Sequence, residues 1–313
     1  MRVTSSSFPN LLNYQLGQLA TKQARLQVQA GTGQRFQTAS EDPRAMRKVL
    51  DLQSEMKALT QYEKNISTLK DSLATTYAST HALKTVSDRA NEITTAADGL
   101  DTPEELQTYG VEVNQLLERA LQLGNTRHQT SYLFGGTKNT QQPFVATRDA
   151  EGKIISVVYN GSASVNDTEI DEGITIKTNI PGANTTGAGE RGLFADNRPG
   201  VGADIFQHLL DLRDHLETGD KTAIRTTDLS NLLKDEENIL FHFGNVGAIQ
   251  SRLDITTSLA NRRKASLEGL VSNEADADLA QTLVSLSEVQ SAYTAALQTG
   301  GKILSQSLLD YLR

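Results

Sequence analysis

A seven-residue rhythm at the two ends of the chain constrains its fold more than any other feature. After a polar start at Thr4, Ser5, Ser6 and Ser7, the residues Leu12, Leu16, Leu19, Gln23, Leu26 and Ala30 recur in alternating steps of four and three. At the other end Leu279, Leu283, Leu286, Gln290, Tyr293, Leu297, Gly300 and Leu304 keep the same steps, and Leu308 and Tyr311 extend the apolar face. Such spacing draws one narrow apolar stripe along a helix, the geometry of helices that pack on each other at a shallow angle. Gly31 and Gly33 close the first helix. A helix of about 23 residues is roughly 35 Å long. Each stripe contains one glutamine, and a single polar residue in a seam fixes register. Residues 1–40 carry four basic side chains and no acidic one, whereas residues 271–313 carry five acidic and two basic, so the two ends attract. Exposed pairs add only ~0–1 kcal/mol each. The candidate assembly residues are therefore Leu12, Leu16, Leu19, Leu26, Leu283, Leu286, Tyr293, Leu297, Leu304 and Leu308.

Between the ends the pattern predicts more helices. Asp42 reads as an N-cap with Pro43 at the first helical position, where a missing N–H costs nothing. Leu59, Ile66, Leu69, Leu73, Leu83, Val86, Ala90, Ile93 and Ala97 continue that helix to a stop at Gly99. Thr102-Pro103-Glu104-Glu105 reads as a capping box that opens a helix through Leu106, Val113, Leu117 and Ala120 to Leu133. From about Phe134 to Val201 the period changes. Ile154–Tyr159 is a β-branched run, Ile174, Ile176, Thr178 and Ile180 alternate, and Gly135-Gly136, Asn160-Gly161 and Glu172-Gly173 supply turns. Residues 181–202 hold six glycines and two prolines, a flexible return. Helical spacing resumes at Ile205, Leu209, Leu212 and Leu216, then in a long helix through Leu229, Leu233, Ile239, Phe243, Ile249, Leu253, Leu259 and Leu267. The expected fold is mainly α with a small β-rich insert: an elongated helical bundle whose terminal helices form a coiled-coil assembly domain. Three units follow: residues 1–40 with 275–313 as the terminal coiled coil, 41–137 with 203–274 as an α-helical rod, and 138–202 as the β-rich insert.

Composition suits thin seams better than a thick core: 37% hydrophobic, 5% aromatic and no tryptophan. The formal charge of −8 argues against nucleic acid, which calls for a basic footprint. The absence of cysteine removes disulfides, thiolate metal sites and cysteine nucleophiles. The first 30 residues show no charged segment leading into an apolar run, so no cleaved secretory signal is expected. No apolar run approaches ~18 residues, so no membrane insertion is expected either.

Catalytic signatures are weak. Gly187-Ala188-Gly189-Glu190-Arg191-Gly192 fits the glycine fingerprint of nicotinamide-binding enzymes, but Asn184-Thr185-Thr186 before it and Pro199 after it do not read as strand and helix. The histidines His81, His128, His208, His215 and His242 show no metal-ligand spacing, and no nucleophile motif occurs. No enzyme activity, cofactor or metal is expected.

The segment Leu26 to Ala45, LQVQAGTGQRFQTASEDPRA, resembles the flagellin family: it ends a first helix, passes a Gly-x-Arg (Gly33, Gln34, Arg35), and enters the next helix through Asp42-Pro43. Flagellins proper tend to show Asp-Asp-Ala-Ala at that step, so Asp-Pro points to the family's hook–filament junction branch. Further matches are Tyr132-Leu133-Phe134-Gly135-Gly136-Thr137 with Pro143-Phe144, and Val246-Gly247-Ala248 with Arg252-Leu253-Asp254. The ending matches too, through Tyr293, Ala296, Lys302-Ile303 and Ser307-Leu308-Leu309-Asp310-Tyr311-Leu312. Ala30-Gly31-Thr32-Gly33 departs from the family's usual Leu-Ser-Ser-Gly. The resemblance implies a structural subunit between hook-associated protein 1 and the flagellin filament subunits, in contact with copies of itself. It also implies a cytoplasmic flagellar export chaperone, passage through the flagellar type III apparatus, and an extracellular location on the flagellum. A filament flagellin is the next reading, a helical scaffold outside flagella a third, and a nicotinamide-binding enzyme the rival of another class.

Overall fold

The structure, a computed structural model, describes residues 7–99, 102–177 and 179–311. Seven helices and nine short strands follow in order. The helices are α1 (Ser7–Thr32), α2 (Pro43–Asp98), α3 (Pro103–Gly124), α4 (Ile205–Thr218), the single turn α5 (Lys221–Ala223), α6 (Leu229–Ala275) and α7 (Leu279–Tyr311). A π turn, Ile224–Asp228, leads into α6. Between α3 and α4 lie the strands β1 (Arg127–His128), β2 (Ser131–Tyr132), β3 (Phe144–Arg148), β4 (Ile154–Tyr159), β5 (Asp167–Asp171), β6 (Ile174–Lys177), β7 (Ala183–Asn184), β8 (Ala195–Asp196) and β9 (Ala203–Asp204). The chain divides into two compact units, residues 1–58 with 261–313 and residues 59–260.

In the larger unit two strict heptads meet. On α2 the residues Leu59, Ile66, Leu73, Thr80, Ser87 and Thr94 stand seven apart, as do Leu69, Thr76, Leu83, Ala90 and Ala97, and all are buried. On α6 Leu232, Ile239, Val246, Leu253 and Ala260 do the same. The helices run antiparallel, since Lys70 reaches Asp254 at 2.7 Å while Lys84 reaches Glu236 at 3.6 Å. The buried threonines stay satisfied within their own helix: Thr76, Thr80 and Thr94 each donate to the carbonyl four residues back at 2.8–3.0 Å. Helices α3 and α4 add Leu106, Val113, Leu117, Leu209, Leu212 and Leu216 to the same core.

The β region is a set of hairpins, β1–β2, β3–β4 and β5–β6, and a three-stranded sheet in the order β7-β8-β9. It is anchored by Phe144, whose ring lies 5.0, 5.1 and 4.9 Å from the rings of Tyr159, Phe194 and Phe206. A Cβ on Gly124 or on Gly182 would come within 2.7 Å of that ring, so both close approaches require glycine.

This packing corrects one boundary. The third helix ends at Gly124 rather than at Leu133, because the Asn125 side chain turns outward to the backbone of Phe144. It accepts from the Phe144 N–H at 3.0 Å and donates to its carbonyl at 2.9 Å. A tight β1–β2 turn follows, with Gln129 at φ 53°. The other helix signals hold: Asp42 accepts from the Ala45 N–H at 3.0 Å, and α4 starts at Ile205. Thr102 differs in detail, since its hydroxyl binds the Glu105 carboxylate at 2.7 Å and no backbone N–H of α3.

In the smaller unit α1 and α7 form an antiparallel pair. One end is tied by backbone bonds, Arg35 N–H to the Ala275 carbonyl and Ala277 N–H to the Gly33 carbonyl, each at 2.7 Å. Beside this tie Phe36, Ala45 and Val49 form a small core with Val271 and Ala275. Arg35 reaches Asp42 at 3.4 Å and Glu274 at 3.9 Å, and Glu55 pairs with Arg263 at 2.6 Å.

Candidate assembly interface

On α1 the stripe predicted from spacing is the stripe that packs. Leu12, Leu16, Leu19, Gln23, Leu26 and Ala30 are each half-buried, and the intervening residues 13–15, 17–18, 20–22, 24–25 and 27–28 are exposed. No described side chain of α1 is fully buried.

On α7 the register differs from the expected one. The face toward α1 holds Thr282, Leu286, Val289, Tyr293, Ala296 and Gly300, again in steps of three and four. Leu286 and Tyr293 sit in this seam as predicted. Leu283 and Leu297 do not: they are 56% and 48% exposed, and Thr282 and Ala296 occupy the seam beside them. The side chains of Leu304 and Leu308 lie outside the described residues. Small residues select the face. A Cβ on Gly300 would lie 2.3 Å from Leu12 Cδ2, so the absence of a side chain lets the helices close there.

The displaced leucines, with Leu279, share one face of α7 beside the seam, and Val284 lies further round the helix. Leu279, Leu283, Val284 and Leu297 on α7 are 48%, 56%, 60% and 48% exposed, and Leu11 and Tyr14 on α1 are 54% and 66% exposed. Isolated exposed leucines mean little, but several on one helix face leave apolar area open to solvent. The sequence missed this because α7 is apolar over more than one stripe, and spacing alone does not say which stripe the intramolecular partner takes.

Elsewhere the candidate chemistry resolves into packing. Residues 187–192 form a loop, and the next helix begins only at Ile205, so the helix N-terminus that would hold a pyrophosphate is not built at this motif. The loop is pinned to α6 instead. Asn238 donates to the carbonyls of Gly192 and Leu193 at 2.9 and 2.8 Å, and His242 Nε2 donates to Gly192 at 3.1 Å. Two histidines pair with carboxylates distant in sequence: His208 Nδ1 to Asp235 at 2.7 Å and His215 Nδ1 to Asp228 at 2.8 Å. The first pair binds α4 to α6 and the second binds it to the π turn leading into α6, contacts that short-range spacing could not reveal. Among the described residues no group of three or more histidines or carboxylates could hold a metal ion. No described helix is long and apolar enough to cross a membrane.

Residues 10–139 match the family of the bacterial flagellin N-terminal helical region. The sequence matches no curated protein. Several solved structures share the fold. A protein of Vibrio parahaemolyticus described as a flagellar hook-associated protein aligns with a TM-score of 0.63 and 19% identity, over 75% of this chain and 100% of its own. FlgL of Bacillus cereus aligns with a TM-score of 0.56 and 21% identity, over 71% and 99%. FlgL of Xanthomonas campestris aligns with a TM-score of 0.57 and 14% identity, over 71% and 99%.

Proposed function

We propose that this chain, whose residues 10–139 match the flagellin N-terminal helical region, is a member of the flagellin family and serves as the structural junction between hook-associated protein 1 and the flagellin filament, the role of hook-associated protein 3 in that family. The observation that carries this reading is the pairing of α1 with α7 and the exposed Leu279, Leu283 and Leu297 on the face of α7 beside their seam. One stripe holds the chain's two ends together. The other is free for neighbours: copies of the same chain, hook-associated protein 1 on one side and flagellin on the other. Residues 1–40 and 275–313 act as the assembly domain, 41–137 with 203–274 as the helical rod, and 138–202 as the β-rich insert. The candidate residues divide accordingly. Leu12, Leu16, Leu19, Leu26, Leu286 and Tyr293 pair the two terminal helices, Leu283 and Leu297 face the lattice, and Leu304 and Leu308 are assigned to assembly by their sequence spacing alone. Before assembly a cytoplasmic export chaperone covers the C-terminal segment, and the chain leaves through the flagellar type III apparatus to an extracellular site.

Leu297→Asp tests the division. A charge on an exposed row leaves the isolated chain's melting temperature unchanged, but it must stay wet and so blocks a buried lattice contact. Loss of motility with an unchanged melt is the expected result, whereas normal incorporation of the variant refutes an assembly role for this row. Electron microscopy of flagella from a deletion strain separates the junction from a filament role. Hooks without filaments, with flagellin shed into the medium, are expected; intact filaments contradict the junction.

A further inference from the structure

A cleft of about 380 Å³ opens between the glycine-rich return and α6, with Leu73 and Thr76 of α2 at its floor. Its walls are of two kinds. Ile180, Pro181, Val201, Phe241 and Ile249 supply apolar lining, and Lys177, Arg191 and Arg198 bring three cations beside one carboxylate, Glu190.

Two of those cations are already neutralised. Lys177 is ion-paired with Glu190. Arg198 sits on the fully buried Asp196, with Nη2 at 2.9 Å and Nε at 2.9 and 3.1 Å from its oxygens. The Asp196 carboxylate also accepts the N–H groups of Gly192 and Arg198 at 2.9 and 3.0 Å, so it is fully engaged. Arg191 is the surplus charge. Its Nε donates to Asn238 Oδ1 at 2.6 Å and its plane lies 4.3 Å from the Phe241 ring centroid. Among the described residues no carboxylate makes an ion pair with it; Asp196 and Glu237 attract it only from a distance. Burial, followed by repulsion from Arg198, disfavours its charge, and these outweigh both carboxylates. A half-buried guanidinium held over an aromatic ring, with no carboxylate on its Nη groups, is poised to receive a planar anion in two parallel hydrogen bonds.

We propose that this cleft is a binding site for a small organic carboxylate with a short apolar body, its carboxylate on Arg191 and its body against Ile180, Val201 and Ile249. The volume stands at the small end of ligand pockets, which suits an acid of a few carbons. The site does not depend on how the chain assembles.

Calorimetric titration of the full chain with hexanoate, acetate and hexan-1-ol tests it. Hexanoate is expected to bind saturably, acetate more weakly for want of apolar contact, and hexan-1-ol not at all. Arg191→Gln should weaken hexanoate by roughly tenfold or more while the melting temperature holds. Val201→Glu keeps Arg191 and its bond to Asn238 and places a tethered carboxylate at the rim, so it should abolish binding of added hexanoate. The proposal is overturned if hexan-1-ol binds as well as hexanoate or Val201→Glu retains full affinity. It is equally overturned if no saturation develops by about 10 mM hexanoate.

Discussion

Asp235 shows how much one side chain can hold in a fold of thin seams. It occupies an interior position of α6 between Leu232 and Ile239, where an apolar residue would be expected, and it is 2% exposed. Its oxygens accept the Asp204 N–H at 2.8 Å and His208 Nδ1 at 2.7 Å, so it fixes the start of α4 against α6. Asp235→Ala leaves a buried N–H and a buried imidazole unpaired and should cost about 3 kcal/mol in denaturant melts, whereas Asp235→Asn keeps the acceptor and should cost less. The pair also sets a pH dependence. Burial opposes charge on His208, but the hydrogen bond and charge of Asp235, with Asp204 and Asp211 beyond, raise its pKa above 6.5. Folded His208 thus keeps a proton that the unfolded chain has released, and its contribution fades as pH rises from 6.5 through the folded value. Below that window burial acts in both directions. It pushes Asp235 up to about 6, which favours the folded state in acid, and His242 down to about 4, which disfavours it. On the alkaline side His208 acts alone, so stability should fall from about pH 6.5 upward, and His208→Gln should flatten that fall. A variant with the wild-type slope would show that the pair is not charged in the fold. Nothing local in the sequence announces the pair, because its members are 27 residues apart.

At the scale of elements, legibility followed period. The helices α1, α2, α4, α6 and α7 were legible as helices and the cap at Asp42 fell where turn chemistry placed it, but on α6 the spacing chose Leu233 and Leu259, each 53% exposed, where Leu232 and Ala260 are buried. The end of α3 was not legible. Its stop depends on Asn125 finding the backbone of Phe144, a contact 19 residues away. The facing stripe of α7 was misread by one residue, because small side chains rather than leucines mark the closest approach. The hydroxyl residues of α2 hid in the same way, since Thr80, Ser87 and Thr94 read as polar yet line the seam with α6. The hydroxyls of Thr76, Thr80 and Thr94 bond back to their own helix, but the buried Ser87 hydroxyl has no hydrogen-bond partner. Ser87→Ala therefore removes an unmatched polar atom from a seam already shaped for a small residue, and alanine is the better helix former. It should stabilise the chain by up to about 1 kcal/mol, read as a higher denaturant midpoint with an unchanged slope; a lower midpoint would mean that the hydroxyl is satisfied in solution.

Across the whole molecule the two units differ in how their helices are held. Residues 59–260 share one core drawn from α2, α3, α4, α6 and the strands, with Val113, Leu117, Leu209 and Val246 wholly excluded from solvent. In the other unit no described side chain of α1 is fully buried, and its contact with α7 rests on half-buried leucines and small residues. The spacing at the two ends announced that they pair with each other, whereas the strength of each unit depends on burial that periodicity does not measure. Local opening follows local burial, so α1 and α7 belong to the low-stability part of the molecule. A helix of this length is marginal in water once its partner leaves. Dilute monomer treated with a nonspecific protease should therefore lose roughly residues 1–40 and 275–313 first. A fragment containing residues 59–260 should persist, because the loops of its β region are tied by Phe144, Asn184 and Asn238. Mass spectrometry of the early products decides the point. First cuts within 127–204 would place the weak region in the insert and would remove the reason for regarding the ends as parts completed by neighbouring subunits.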